Sequence, residues 1–310
     1  MDVTATDTNH ASEIVAAFTG DVVRTASPII GKGSVNKIVV CGTERGEPIV
    51  VRMSSAEDEG RGLSFYEKER WCIEEAAKRG VPGPTVLAIG RWGTRPYMIQ
   101  TLVPGISGEE SALGSQHVWH ALGRHAKIVH SISLDGFGEM LDQFHCGDAQ
   151  QKWHDFVHYN ICSLTPDDEL PRLQVYAPEQ QDTIRRVFEN LLTPSFRFGL
   201  NHGDLSPRNV LIDADATVHL LDWGSAEAHI VPHYDFLHIV PWDDLQNENF
   251  RAFLEGYEMS EAMFARILPE LRSLLLLKSF DLTRWAIDRC PERTTSIAAR
   301  AREALRLLLQ

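Results

Sequence analysis

The segment that most restricts this chain is Leu200-Asn201-His202-Gly203-Asp204-Leu205-Ser206-Pro207-Arg208-Asn209, a polar, turn-rich stretch inside a half that otherwise reads as helix. It runs into two short apolar runs, Val210 to Ile212 and Val218 to Leu221, which flank Asp213-Ala214-Asp215-Ala216. That order predicts a β-hairpin. With the tip between Ala214 and Asp215, residue 209 stands nearly opposite residue 220, so Asn209 and Asp222 leave the hairpin at one open end. Opposed strand residues lie about 5 Å apart. Asp204 sits just upstream, in the adjoining loop.

Such a site has a definite chemistry. An Asp carboxylate and an Asn amide oxygen suit Mg²⁺, a hard cation that keeps water and phosphate oxygens in its remaining positions. A further carboxylate close by but off the metal orients an attacking hydroxyl and takes its proton. Taken singly, each residue reads as a turn former. His202, Asp204, Asn209 and Asp222 together, at these spacings around a hairpin, point to phosphoryl transfer.

Before this segment the chain changes character once. A short helix over Ala11 to Phe18 precedes β-prone runs at Val22 to Val23, Pro28 to Ile30, Lys37 to Cys41 and Ile49 to Met53. An amphipathic helix over Ser64 to Arg79 follows, stopped by Gly80, Pro82 and Pro84, and then strands over Thr85 to Ile89 and Tyr97 to Leu102. After Val103-Pro104-Gly105 long helical segments dominate. The expected fold is α+β and bilobal, an antiparallel-sheet lobe over 1–103 and a mainly helical lobe over 104–310.

Composition narrows the function classes. Net charge is −13, which disfavours a nucleic-acid groove. Residues 135–182 carry −8 and residues 227–261 carry −7, so the rest of the chain nets +2. No apolar run approaches the roughly 18 residues that span a bilayer, and the first residues lack the basic start of a signal peptide. Five scattered cysteines with no CxxC pair fit reduced thiols, and a cytoplasmic protein is expected.

His202-Gly203-Asp204-Leu205-Ser206-Pro207-Arg208-Asn209 followed by Leu221-Asp222-Trp223-Gly224 resembles the catalytic loop and metal motif of the aminoglycoside phosphotransferase and choline kinase family. The resemblance implies a protein kinase-like fold, ATP and Mg²⁺ as cofactors, and a small-molecule acceptor. It makes Asp204 the catalytic base, Asn209 and Asp222 the metal ligands, and His202 a loop organiser. Gly31, Gly33, Ser34 and Asn36 then resemble the loop over the ATP phosphates. Arg52 stands where the family has Lys, with Glu69 as its best-aligned helix partner and Glu67 and Glu74 as fallbacks. Gln100, Thr101 and Val103 resemble the strand leading to the adenine-binding hinge. Asp235, in Pro232-His233-Tyr234-Asp235, resembles an aspartate that supports the active-site loops.

The acceptor is less defined. Acidic stretches on the helical lobe would suit a polycationic acceptor of the aminoglycoside type, with Asp155, Asp243, Asp244, Glu248 and Glu258 as candidate contacts. Ordinary solvated surface is the competing account. Choline, a macrolide, homoserine or a sugar are alternative acceptors, and a regulatory pseudokinase is a further alternative. His154 with His158, and the cluster His229, His233 and His238, read as structural, since neither has a zinc-site spacing.

Overall fold

The computed structural model describes residues 3–29, 36–54 and 62–310. Helix α1 (Ala5–Thr19) begins before the expected Ala11. The reason is a capping box: the Thr4 hydroxyl accepts the Asp7 N–H while the Asp7 carboxylate accepts the Thr4 N–H, which satisfies the first-turn donors of a polar stretch. Strand β1 (Val23–Pro28) is one continuous strand where the sequence suggests two short runs. It opens an antiparallel sheet with β2 (Asn36–Thr43), β3 (Ile49–Ser54), β4 (Val86–Trp92) and β5 (Arg95–Thr101), in the order β1-β2-β3-β5-β4.

The two-residue period of β3 decides what each face does. Ile49, Val51 and Met53 pack against Ala11, Ile14 and Val15 of α1. Val50, Arg52 and Ser54 therefore turn to the opposite face, where they line a large cavity. Helix α2 (Gly62–Ala77) brings Tyr66 and Glu69 to that same cavity. Its Cys72, Ile73 and Ala76 join the core of the helical half, so α2 ties sheet and helices together through apolar contact.

Beyond β5 the chain crosses to the helical half through β6 (Ile106–Ser107), which pairs with β8 (Val210–Ile212). The crossing is tight. A Cβ on Gly105, at φ +148°, would lie 2.5 Å from the Ile212 carbonyl oxygen. The helical half contains α3 (Ser115–His130), α4 (Ala149–Cys162), α5 (Glu169–Arg172), α6 (Gln181–Asn190), α7 (His233–Ile239), α8 (Glu248–Tyr257), α9 (Glu261–Arg289) and α10 (Thr294–Leu308). A strand pair, β7 (Phe198–Asn201) with β10 (Glu227–Ile230), brackets the hairpin of β8 and β9 (Val218–Leu220).

The hairpin register differs by one residue from expectation. Val210 pairs with Leu220, so Asn209 faces Leu221, whose N–H donates to the Asn209 carbonyl at 2.9 Å. The loop holds one residue more because the Asp213 carboxylate accepts the N–H groups of Asp215 and Thr217, and Ala216 takes φ +61°. The consequence at the open end is unchanged: Asn209 and Asp222 emerge together.

Candidate active site

The loop that carries Asp204 hangs on a buried aspartate. Asp235, in the first turn of α7, accepts the backbone N–H groups of His202 and Gly203 at 3.0 and 2.7 Å, and the ring N–H of His130 at 2.9 Å. Burial alone would raise its carboxyl, yet His130 and the loop N–H groups hold it at about 2. Gly203 needs its φ of +77°, and a Cβ there would lie 2.1 Å from the Ser225 carbonyl oxygen. His202 is fully buried. Burial pushes its imidazole down, so the neutral ring donates from Nε2 to the Leu221 carbonyl at 2.9 Å and accepts the Asp204 N–H at Nδ1, 3.3 Å away. His202 thereby clips the loop to the end of the hairpin, and its ring rests on Trp223 at 4.8 Å.

From this frame Asp204, Asn209 and Asp222 all reach the same cavity of about 760 Å³ between sheet and helices. The Asn209 amide donates from Nδ2 to the Asp204 carbonyl at 2.8 Å and to its Oδ2 at 2.9 Å. That fixes the amide so that its Oδ1 is the atom left for a cation. Asp222 is held at φ +57°, with its side chain half exposed to the cavity. The half-exposed Asp222 carboxylate and the Asn209 amide oxygen fit a hard divalent ion whose other positions would be filled by phosphate and water. Among the described residues no cluster of three or more His, Cys, Asp or Glu is placed to hold a metal.

On the opposite wall the Arg52 guanidinium donates to Glu69 through Nη1 at 2.5 Å and Nη2 at 3.4 Å, and Nη2 lies 3.7 Å from Asp222 Oδ1. The Arg52 and Glu69 pair is buried, and the Tyr66 ring supports the guanidinium at 5.9 Å. Tyr66 also donates its hydroxyl to Asn36 Oδ1 at 3.0 Å, which brings Asn36 to the cavity rim. Gln100, Thr101 and Val103 line the cavity as well. Gln100 Oε1 and Ser54 Oγ are buried there with no hydrogen-bond partner among the described residues, two orphaned polar atoms that a ligand would satisfy. The Thr101 N–H is taken by the Thr85 carbonyl at 2.9 Å, so a main-chain contact from Thr101 to a ligand would have to use its carbonyl. Gly31, Gly33 and Ser34 lie outside the described residues.

The acidic candidates sit elsewhere. Asp155 accepts from Gln151 of its own helix at 2.8 Å, and Asp243 stands 3.8 Å from Arg306 of α10. Asp244 caps the Gln246 N–H, Glu248 accepts from Gln116, and Glu258 pairs with Lys127, so the last two tie α8 to α3. None of the five lines the cavity.

Two residues escaped the sequence reading. Arg208 donates from Nη2 to both Asp204 carboxylate oxygens, at 2.6 and 2.8 Å; a lone exposed charge in a loop carries no periodic signal. Lys68, almost fully buried on α2, donates to the Gly224 carbonyl at 2.7 Å and so links the helix of Glu69 to the turn after Asp222.

A model of the phosphotransferase enzyme family matches residues 28–273. The chain belongs to that family. No curated protein matches it by sequence. Among solved structures, the aminoglycoside phosphotransferase APH(4)-Ia, as a thermostable mutant crystallised with AMP-PNP and hygromycin B, superposes with a TM-score of 0.65 at 17% identity, covering 96% of this chain and 98% of that one. The gentamicin complex of APH(2")-IIa gives 0.60 at 18% identity, covering 100% and 97%. A macrolide 2'-phosphotransferase from Brachybacterium faecium gives 0.59 at 16%, covering 98% of each chain. At these identities the likeness is one of fold, a sheet lobe on a helical lobe as in the kinases. No helix among the described residues is long and apolar enough to cross a membrane.

Proposed function

We propose that this family member is an ATP- and Mg²⁺-dependent O-phosphotransferase that moves the γ-phosphoryl group to a hydroxyl of a small molecule, acting in the cytoplasm and without nucleic-acid partners. Residues 1–103 carry the nucleotide contacts in this reading, and residues 104–310 the catalytic loop and the acceptor. The observation that carries it is the convergence of Asp204, Asn209, Asp222 and Arg52 on one cavity.

Each residue has a distinct task. Arg52, oriented by Glu69, offers a buried cation to the α- and β-phosphates, a role its planar fork fills in place of Lys. Asn209 and Asp222 would hold Mg²⁺, which would neutralise charge on the transferring group. Asp204 orients the acceptor hydroxyl and takes its proton, while Asn209 Nδ2 and Arg208 fix the direction of its carboxylate. Catalysis is then mostly positioning and charge neutralisation.

Hygromycin B and gentamicin, bound by the structural relatives, make aminoglycosides the first acceptors to test. ADP release should depend on both Mg²⁺ and a hydroxyl acceptor. Binding of AMP-PNP with no transfer to any acceptor would turn the reading to a regulatory nucleotide-binding protein.

A further inference from the structure

The rings of the helical half enclose an aromatic cavity of about 190 Å³, walled by Phe137, Trp153, Phe156, His229 and Tyr234 with leucines of α7 and α9. Neither Asp204, Asn209 nor Asp222 lines it, so the partners of the reacting groups lie in the walls of the main cavity. Among the described residues there, Arg52 and Arg208 are the cations. They differ in what they hold. Arg52 is buried and gives both terminal nitrogens to Glu69. Arg208 keeps 60% of its side chain exposed and engages Asp204 through Nη2 alone, at 2.6 and 2.8 Å. Its Nη1 and Nε donate to none of the described residues.

The backbone beneath Arg208 is fixed. Pro207 opens one tight helical turn, Pro207–Asn209, which the Asn209 N–H closes on the Ser206 carbonyl at 3.0 Å. Gly108, just past β6, presses on that turn: its N–H donates to the Val210 carbonyl at 3.1 Å, and a Cβ there would lie 2.6 Å from the Pro207 carbonyl oxygen. The same turn carries Asn209, whose Nδ2 reaches Asp204 Oδ2 at 2.9 Å. A single braced turn thus delivers an amide and a guanidinium to one carboxylate, and leaves the guanidinium with donors to spare.

We infer that Arg208 bridges the base and the transferring group: Nη2 stays on the Asp204 carboxylate while Nη1 and Nε bind oxygens of the γ-phosphoryl group. The inference rests on the kinase reading above and adds to it a residue that touches the reacting atoms. Charge argues first. In that reading Asp204 holds the acceptor hydroxyl against the γ-phosphorus, which sets a carboxylate beside an anionic group just as the two must approach. A cation between them offsets the repulsion, and donors already in place stabilise charge on the phosphoryl oxygens as it spreads.

Placement argues second. Arg52 stands on the sheet wall, 3.7 Å from Asp222, at the position of the inner phosphates, whereas Arg208 stands at Asp204, where the outer one must come. The chemistry of the group argues third, since a guanidinium carries five N–H donors in one plane and can hold a carboxylate with one nitrogen and a phosphate with the others. In the transfer the acceptor oxygen bonds to the γ-phosphorus, and the bond to the β,γ-bridging oxygen breaks with its electron pair leaving on ADP. The hydroxyl proton goes to Asp204.

The ratio of affinities for AMP-PNP and ADP isolates this contact, because only AMP-PNP carries the outer phosphoryl group. Both nucleotides are titrated with Mg²⁺ against the full chain as wild type, Arg208→Met, Arg208→Gln and Arg208→Lys. The two neutral variants should weaken AMP-PNP about tenfold while ADP, which also reports the fold, stays within about twofold. Arg208→Lys, which keeps the charge but loses the fork, should weaken AMP-PNP only about threefold. The loss caused by Arg208→Met should persist when Asp204 is also changed, in Asp204→Asn, because the contact to phosphate is direct. An unchanged ratio of AMP-PNP to ADP affinity, an equal loss for both nucleotides, or a loss that vanishes on the Asp204→Asn background would overturn the inference. Each would leave Arg208 as a group that only orients Asp204, with the kinase reading intact. A wild-type chain that binds neither nucleotide would instead remove that reading.

Discussion

The loop around Asp204 and the aromatic cavity are built on opposite plans. Around Asp204 the polar groups hold one another: Asp235 grips the loop N–H groups, His202 clips it to Leu221, and Asn209 pins the carboxylate. Around Tyr234 the rings and leucines hold one another, and the few charges are partly withdrawn from water. A phosphoryl group carries the same charges whatever the acceptor, so its site is fixed by hydrogen bonds of set direction. A cavity walled by rings is set by shape, which many side-chain combinations provide.

The contrast can be broken most severely at the metal. Asp222→Ala should lower turnover by about a thousandfold or more and remove the Mg²⁺ dependence of nucleotide affinity, since it takes away the one carboxylate of the proposed Asn209 and Asp222 metal pair. Turnover within tenfold of wild type would mean that Asp222 is not a ligand.

Next in size is the frame. Asp235→Asn should cost about 3 kcal/mol of stability by leaving His130 and the loop N–H groups with a poorer acceptor. The wild-type carboxylate carries its own pH signature. Because its pKa is depressed from 3.8 to about 2, its contribution, about 2 kcal/mol, is complete above pH 4 and is lost as pH falls through 2. Chemical denaturation of both proteins between pH 6 and 2.5 checks this: the gap between them should narrow with acid.

A smaller change is expected on the sheet. Arg52→Lys retains the charge but loses the second donor to Glu69, and should raise the KM for ATP by about three- to tenfold with little change in kcat. The smallest belongs to the acidic surface. Glu248→Gln and Glu258→Gln, which touch Gln116 and Lys127 rather than either cavity, should leave kinetics within about twofold for any acceptor. A larger loss with an aminoglycoside would restore the acidic wall as a substrate surface.

The two plans also explain what the sequence discloses. Asp204, Asn209 and Asp222 fall within one short stretch whose fold is dictated locally by a turn-rich loop and a hairpin, so their meeting could be read in advance. Even there the register slipped by one, because the Asp213 side chain enlarges the loop in a way that strand patterns do not encode. Arg52 and Glu69 lie on different elements, but strand alternation and the helical face of Tyr66 and Glu69 aim both at the cavity. The aromatic cavity was invisible. Its residues run from 137 to 281, and each alone is an ordinary core side chain whose grouping is settled only by packing. The acidic stretches drew attention because charge is conspicuous in a sequence, although those residues mostly answer neighbouring basic or amide groups.

The most direct trial is single-turnover transfer from labelled ATP to an accepted alcohol, with nucleotide affinity measured on the same samples of wild type and Asp204→Ala. The account predicts that the variant binds nucleotide within a few-fold of wild type and transfers about a thousandfold more slowly or not at all. Transfer by the variant at the wild-type rate would contradict it.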